Sequence, residues 1–175
     1  VWLLCAGGLV WQRNYRWASE LRIWGDAVAK APQMYRAQVS WGKSLQMEGR
    51  WSEAMAAYER AIALNARRAD AHNNAATLWQ LQGKVDRAIE GYQRALQFEP
   101  RLEEVHQNLG DAYAQKGNYE QSIASYRRAI AIEEGKGEIW SNYGLSLYYS
   151  GDLMAADEAF LRAIELMPDQ AEPYN

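Results

Sequence analysis

Apolar residues recur along this 175-residue chain at the three- and four-residue spacing of helix faces. Trp41 with Leu45, Trp79, and Leu109 with Tyr113 mark stripes of this kind, and each runs up to a glycine. A second stripe follows the glycine, as in Ala54, Tyr58, Ala61, Ile62 and Leu64. The pattern predicts pairs of short amphipathic helices joined at the glycine, where a residue with a Cβ would resist the turn. The glycines in question, Gly49, Gly83, Gly117 and Gly151, stand 34 residues apart without insertion or deletion. A fixed period of that length marks a repeat array.

Other positions keep the same spacing. Seven residues before each glycine lies a small residue: Gly42, Ala76, Gly110, Gly144. Nine residues after it lies a ring: Tyr58, Tyr92, Tyr126, Phe160. Then come Ala61, Ala95, Ala129 and Ala163, each followed by Ile or Leu. Pro32, Pro100 and Pro168 punctuate repeat ends, with Ala66 and Glu134 in the equivalent places between them. Small residues let neighbouring helices approach, and the rings fill the gaps, so no unit buries its apolar face alone. Ser52, Asp86, Asn118 and Asp152 stand near the start of each second helix, where their side chains are expected to cap free N–H groups.

This small–large–small signature resembles the tetratricopeptide repeat family. Four units fit, 35–68, 69–102, 103–136 and 137–170, covering 136 of the 175 residues. The resemblance implies an all-α solenoid, a right-handed superhelix of helix-turn-helix units whose first helices line a concave groove. Residues 17–34 then read as a capping repeat helix, and 171–175 as the start of a further unit.

A formal charge of −3 argues against broad phosphate binding, so nucleic acid is not an expected partner. The single cysteine, Cys5, excludes an internal disulfide framework. Four of the eight tryptophans fall in the first 24 residues, and that clustering needs its own account.

Residues 1–11 carry no charge and are followed by Arg13, Tyr15, Arg16 and Trp17. An apolar run leading into Trp, Tyr and Arg is how a membrane helix enters its interfacial belt. Trp2, Trp11, Arg13, Tyr15, Arg16 and Trp17 are the candidate interfacial residues, and 1–16 the end of a membrane helix. Eleven residues fall short of the roughly 20 a span needs, so the rest would lie upstream. The competing reading is a degenerate repeat helix, since Gly8, Trp11, Trp24, Ala27 and Pro32 keep the register. Residues 9–32 also resemble the junction of membrane-embedded, glycosyltransferase-like proteins that carry a C-terminal repeat array. That resemblance implies catalysis in an upstream membrane region and repeats outside the cytoplasm. Arg13, Arg16, Arg22 and Lys30 argue for the cytoplasmic side.

Within the chain no phosphate loop, nucleophile–base arrangement or acidic pair is evident, so neither catalysis nor a cofactor is expected. His72 and His106 share one repeat position and read as packing residues, not metal ligands. Arg60, Arg94, Arg128 and Arg162 form a solvated face, with Glu90 and Glu158 placed to pair with Arg94 and Arg162. Asn74, Asn108 and Asn142, with Ser40 before them, recur on the first helices. An asparagine can pair with both N–H and C=O of a peptide. The row resembles the asparagine ladder of O-linked N-acetylglucosamine transferases, although local hydrogen bonding would explain it equally. The remaining groove positions are mixed: Arg36, Lys43, Asn73, Thr77, Gln107, Asp111 and Tyr148 are candidates for partner contact. The basic clamp that related domains use for C-terminal carboxylates is not reproduced. The expected function is a non-enzymatic, membrane-tethered scaffold for a protein or extended peptide. The alternative is a substrate-presenting arm of a membrane glycosyltransferase.

Overall fold

The computed structural model describes residues 20–167, and among them the chain is helical throughout, with nine helices and no strand. Residues 20–30 form α1. Then follow α2 (Tyr35–Met47), α3 (Trp51–Leu64), α4 (Ala69–Leu81), α5 (Val85–Phe98), α6 (Glu103–Gln115), α7 (Tyr119–Ile132), α8 (Gly137–Ser150) and α9 (Leu153–Leu166). Ala-rich sequences without internal proline, such as that of α3, suit the helix. The described residues divide into two compact units, the first ending at Leu78 and the second beginning at Trp79. In the first, α2 packs on α3; in the second, α5 through α9 pack each on the next, and α6 also meets α8.

Each helix pair turns at its glycine. Gly49, Gly83, Gly117 and Gly151 all have positive φ, between 72° and 93°. The residue after each closes the turn onto the first helix, as Arg50 N–H does to Leu45 C=O (2.9 Å) and Asn118 N–H to Tyr113 C=O (2.9 Å). This is the glycine-ended helix cap that satisfies the last free carbonyls. The other end differs from expectation. Of the four residues expected to cap, only Asp152 does so, accepting from Ala155 N–H at 3.2 Å. Asn118 occupies the cap position without a side-chain bond, Ser52 already lies inside α3, and Asp86 pairs with Lys116 at 2.5 Å. The helix-face ion pairs also differ: Arg94 reaches Gln97, and Arg162 is held by Glu165 and Glu134 rather than Glu158.

The rings Tyr58, Tyr92 and Tyr126 are fully buried. Tyr58 lies so close over Gly42 that a Cβ there would sit 2.5 Å from Cε1, and Gly110 under Tyr126 and Gly144 under Phe160 repeat the contact at 2.8 Å. Glycine at these places is therefore a matter of room, while at the turns it is a matter of φ.

One recurring bond has no single residue type behind it. The side-chain N–H groups of Gln38, His72, His106 and Trp140 donate to the carbonyls of Pro32, Ala66, Pro100 and Glu134, each at 2.9 Å and six residues back. Both partners advance by 34 residues each time. The acceptor is a main-chain carbonyl, which explains why proline, alanine and glutamate are interchangeable there. His106 is 5% exposed and donates from Nε2, while its buried Nδ1 has no partner among the described residues.

Candidate functional site

In the first two repeats the buried tyrosine hydroxyl is satisfied by a glutamine on the preceding helix. Tyr58 donates to Gln46 Oε1 and Tyr92 to Gln80 Oε1, both at 2.8 Å. The next position on this period is Ala114, which offers no acceptor. Tyr126 instead donates to Asp111 Oδ1, on the preceding turn of α6. Asn142 of α8 donates to the same oxygen through Nδ2 at 3.3 Å. Burial pushes the Asp111 carboxyl up from the usual aspartate range, and the two hydrogen bonds only partly counter it. Burial and the neighbouring Asp111 raise the Tyr126 phenol, which stays a donor.

Replacing a glutamine by alanine leaves space as well as a missing acceptor. A cavity of about 240 Å³ opens beside Ala114, bounded by Asp111, Tyr126, Asn142, Leu145 and the rings of Tyr119 and Tyr149. Those two rings are stacked, centroids 5.4 Å apart and 19° from parallel, and Tyr148 meets Tyr149 edge-on at 5.5 Å. Leu145, Tyr148 and Tyr149 are 44%, 54% and 62% exposed, and Leu145 and Tyr149 belong to the pocket's mainly apolar wall, in which Asp111 and Asn142 are the polar groups.

The expected contact residues lie on four helices. Arg36, Ser40 and Lys43 lie on α2; Asn73, Asn74 and Thr77 on α4; Gln107, Asn108 and Asp111 on α6; Asn142 and Tyr148 on α8. Asp111 and Asn142 are brought into direct contact. Asn73 is buried, and its main-chain carbonyl accepts from Thr77 Oγ1 at 3.0 Å. Asn74 Nδ2 is buried without a partner and Asn142 Nδ2 is given to Asp111, so two of the three ladder amides point into the protein. Arg36 and Lys43 are exposed. Trp2, Trp11, Arg13, Tyr15, Arg16 and Trp17, and segments 1–16 and 171–175, lie outside the described residues. No described helix is long and apolar enough to cross a membrane. Nor do His, Cys, Asp and Glu side chains gather into a metal-holding group among the described residues. Tyr119 and Tyr149 were missed by sequence reasoning. The signal for the pocket was the loss of glutamine at Ala114.

A family model described as TPR repeat matches residues 80–117 and 110–151. Over residues 80–151 the chain therefore resembles tetratricopeptide repeats. Solved structures with such repeats share the fold. The crystal structure of MamA is similar with a TM-score of 0.80 at 19% identity, covering 91% of this chain and 94% of that one. MamA 41-end from Desulfovibrio magneticus RS-1 gives 0.79 at 17% identity, over 92% and 93%. YrrB, described as a TPR protein with an unusual peptide-binding site, gives 0.73 at 18% identity, over 91% and 82%. At these identities the likeness is one of fold: an all-α array of stacked helix-turn-helix tetratricopeptide units. No curated protein matches the sequence significantly.

Proposed function

We propose that this chain is a non-enzymatic interaction scaffold that holds an extended peptide segment of a partner protein against α6 and α8. The observation that carries this reading is a mainly apolar pocket holding the polar groups of Asp111 and Asn142 and continuous with the exposed Leu145, Tyr148 and Tyr149. Rigid aromatic side chains next to a few polar groups are what peptide recognition uses. The peptide-binding site ascribed to YrrB, on the same fold, supports it. The test is to pan a random dodecapeptide phage library over the immobilised protein and over a Leu145→Glu/Tyr149→Glu variant. Enrichment on the first and its loss on the second is the expected result; no enrichment over an uncoated surface would overturn the reading.

On the sequence of residues 1–17 we further infer a bilayer attachment through Trp2, Trp11 and Trp17, flanked by Arg13 and Arg16. Several apolar spans upstream of Val1 would make the array an arm of a membrane enzyme, and one span would make it a tethered scaffold. A protein extended upstream should need detergent to stay in solution. Solubility without detergent would remove the attachment.

A further inference from the structure

We propose that the pocket beside Ala114 receives a lysine or arginine side chain of the bound peptide, with Asp111 as its counter-charge. The proposal rests on the peptide-binding reading above and names what one subsite selects. Both internal donors, Tyr126 and Asn142, reach Oδ1 of Asp111, and Oδ2 has no hydrogen bond from any described residue. Asp111 lines the pocket and is only partly buried, so an incoming cation with N–H donors can reach its carboxylate and pair with it there.

No cation of the described residues is seen to occupy the pocket. The pocket lining contains no lysine or arginine, and the nearby Lys116 is already paired with Asp86. The walls suit a cation on an apolar stem. Tyr119 and Tyr149 line the pocket with aromatic rings, a residue type that attracts an ammonium or guanidinium, and Leu145 adds an apolar wall for the methylene chain. At about 240 Å³ the space falls below the range of small-molecule pockets and is of the order of one long side chain. The first two repeats lack the feature, because Gln46 and Gln80 satisfy their tyrosines with a neutral acceptor.

The experiment pans the same dodecapeptide library over the wild-type protein, Asp111→Asn and Ala114→Gln. Asp111→Asn keeps an acceptor for Tyr126 but removes the charge; Ala114→Gln copies the arrangement of the first two repeats and fills the space. Thermal melting confirms that each variant is folded. The expected result is enrichment of sequences with Lys or Arg at a fixed distance from an aromatic or aliphatic residue, on wild type only. One enriched peptide, resynthesised, should bind either variant roughly 10- to 100-fold more weakly, as should the wild type when its basic residue is replaced by norleucine. Enriched peptides without a basic residue, or the same peptides on all three proteins, would overturn the cation subsite and leave the peptide-binding reading standing. No enrichment on any protein would overturn both.

Discussion

The Tyr126 hydroxyl donates to the Asp111 carboxylate, whereas Tyr92, one repeat earlier, donates to the neutral side chain of Gln80. The two rings are equally buried, and their acceptors differ in charge. Hydrogen bonds to charged groups are worth about 1.5–3 kcal/mol and neutral ones about 0.5–1.5 kcal/mol. Tyr126→Phe should therefore destabilise the protein more than Tyr92→Phe, measured by urea denaturation with unchanged m-value. Equal losses would mean that Asp111 is no better an acceptor than Gln80.

Two sets of glycines should respond differently to alanine. Gly117→Ala places a Cβ in open space but on a residue with φ of 76°, costing about 1 kcal/mol. Gly110→Ala drives a Cβ to within 2.8 Å of the Tyr126 ring, an overpacking that costs about 1–3 kcal/mol. Combining each with Tyr126→Leu separates the mechanisms. The cost of Gly110→Ala should shrink when the ring is gone, while that of Gly117→Ala should add unchanged. Additivity in both pairs would show that the ring is not what excludes a side chain at Gly110.

The sequence announced the helix pairs, the turns and the buried rings because each depends on one residue type at one spacing. Positive φ favours glycine, and a ring seated on a backbone demands a small residue beneath it. The caps were misjudged because residue type near a helix start does not fix which side chain bends back: Asp86 had Lys116 within reach. The donor row was invisible for the opposite reason. Gln38, His72, His106 and Trp140 look unrelated until their shared N–H is seen meeting a carbonyl six residues back. At the site, Asp111 and Asn142 were expected to be groove positions, but their contact with each other depends on packing between α6 and α8. A period locates equivalent places; it does not say what fills a gap when one of them changes.

Exchange within that donor row follows directly. His106→Gln places in the third repeat the residue that does the same work at Gln38, and it should retain most of the stability. His106→Leu keeps the bulk but leaves the Pro100 carbonyl without its donor, at about 1–3 kcal/mol. Denaturation midpoints compare the two. If leucine were tolerated as well as glutamine, the row would be packing alone.

Asp70 and Asp111 should show opposite pH dependence. At Asp70 burial opposes ionisation, but hydrogen bonds from Tyr35 and Arg68 prevail and hold the carboxyl below its usual range. Its folded value is lower than its unfolded one, so it contributes stability above the ordinary range near pH 3.9, lost as pH falls through the folded value. At Asp111 burial prevails and the folded value is the higher. The folded state then binds the proton more tightly, and stability is greatest below the unfolded value and lost as pH rises through the folded one. Asp70→Asn should therefore be less stable than wild type at about pH 7, with the gap closing in acid. Asp111→Asn should match wild type in acid and be the more stable at about pH 7. Urea midpoints collected from about pH 3.5 to 7 decide it: if both variants shift in the same direction, the hydrogen bonds at Asp70 do not outweigh its burial, or those at Asp111 do.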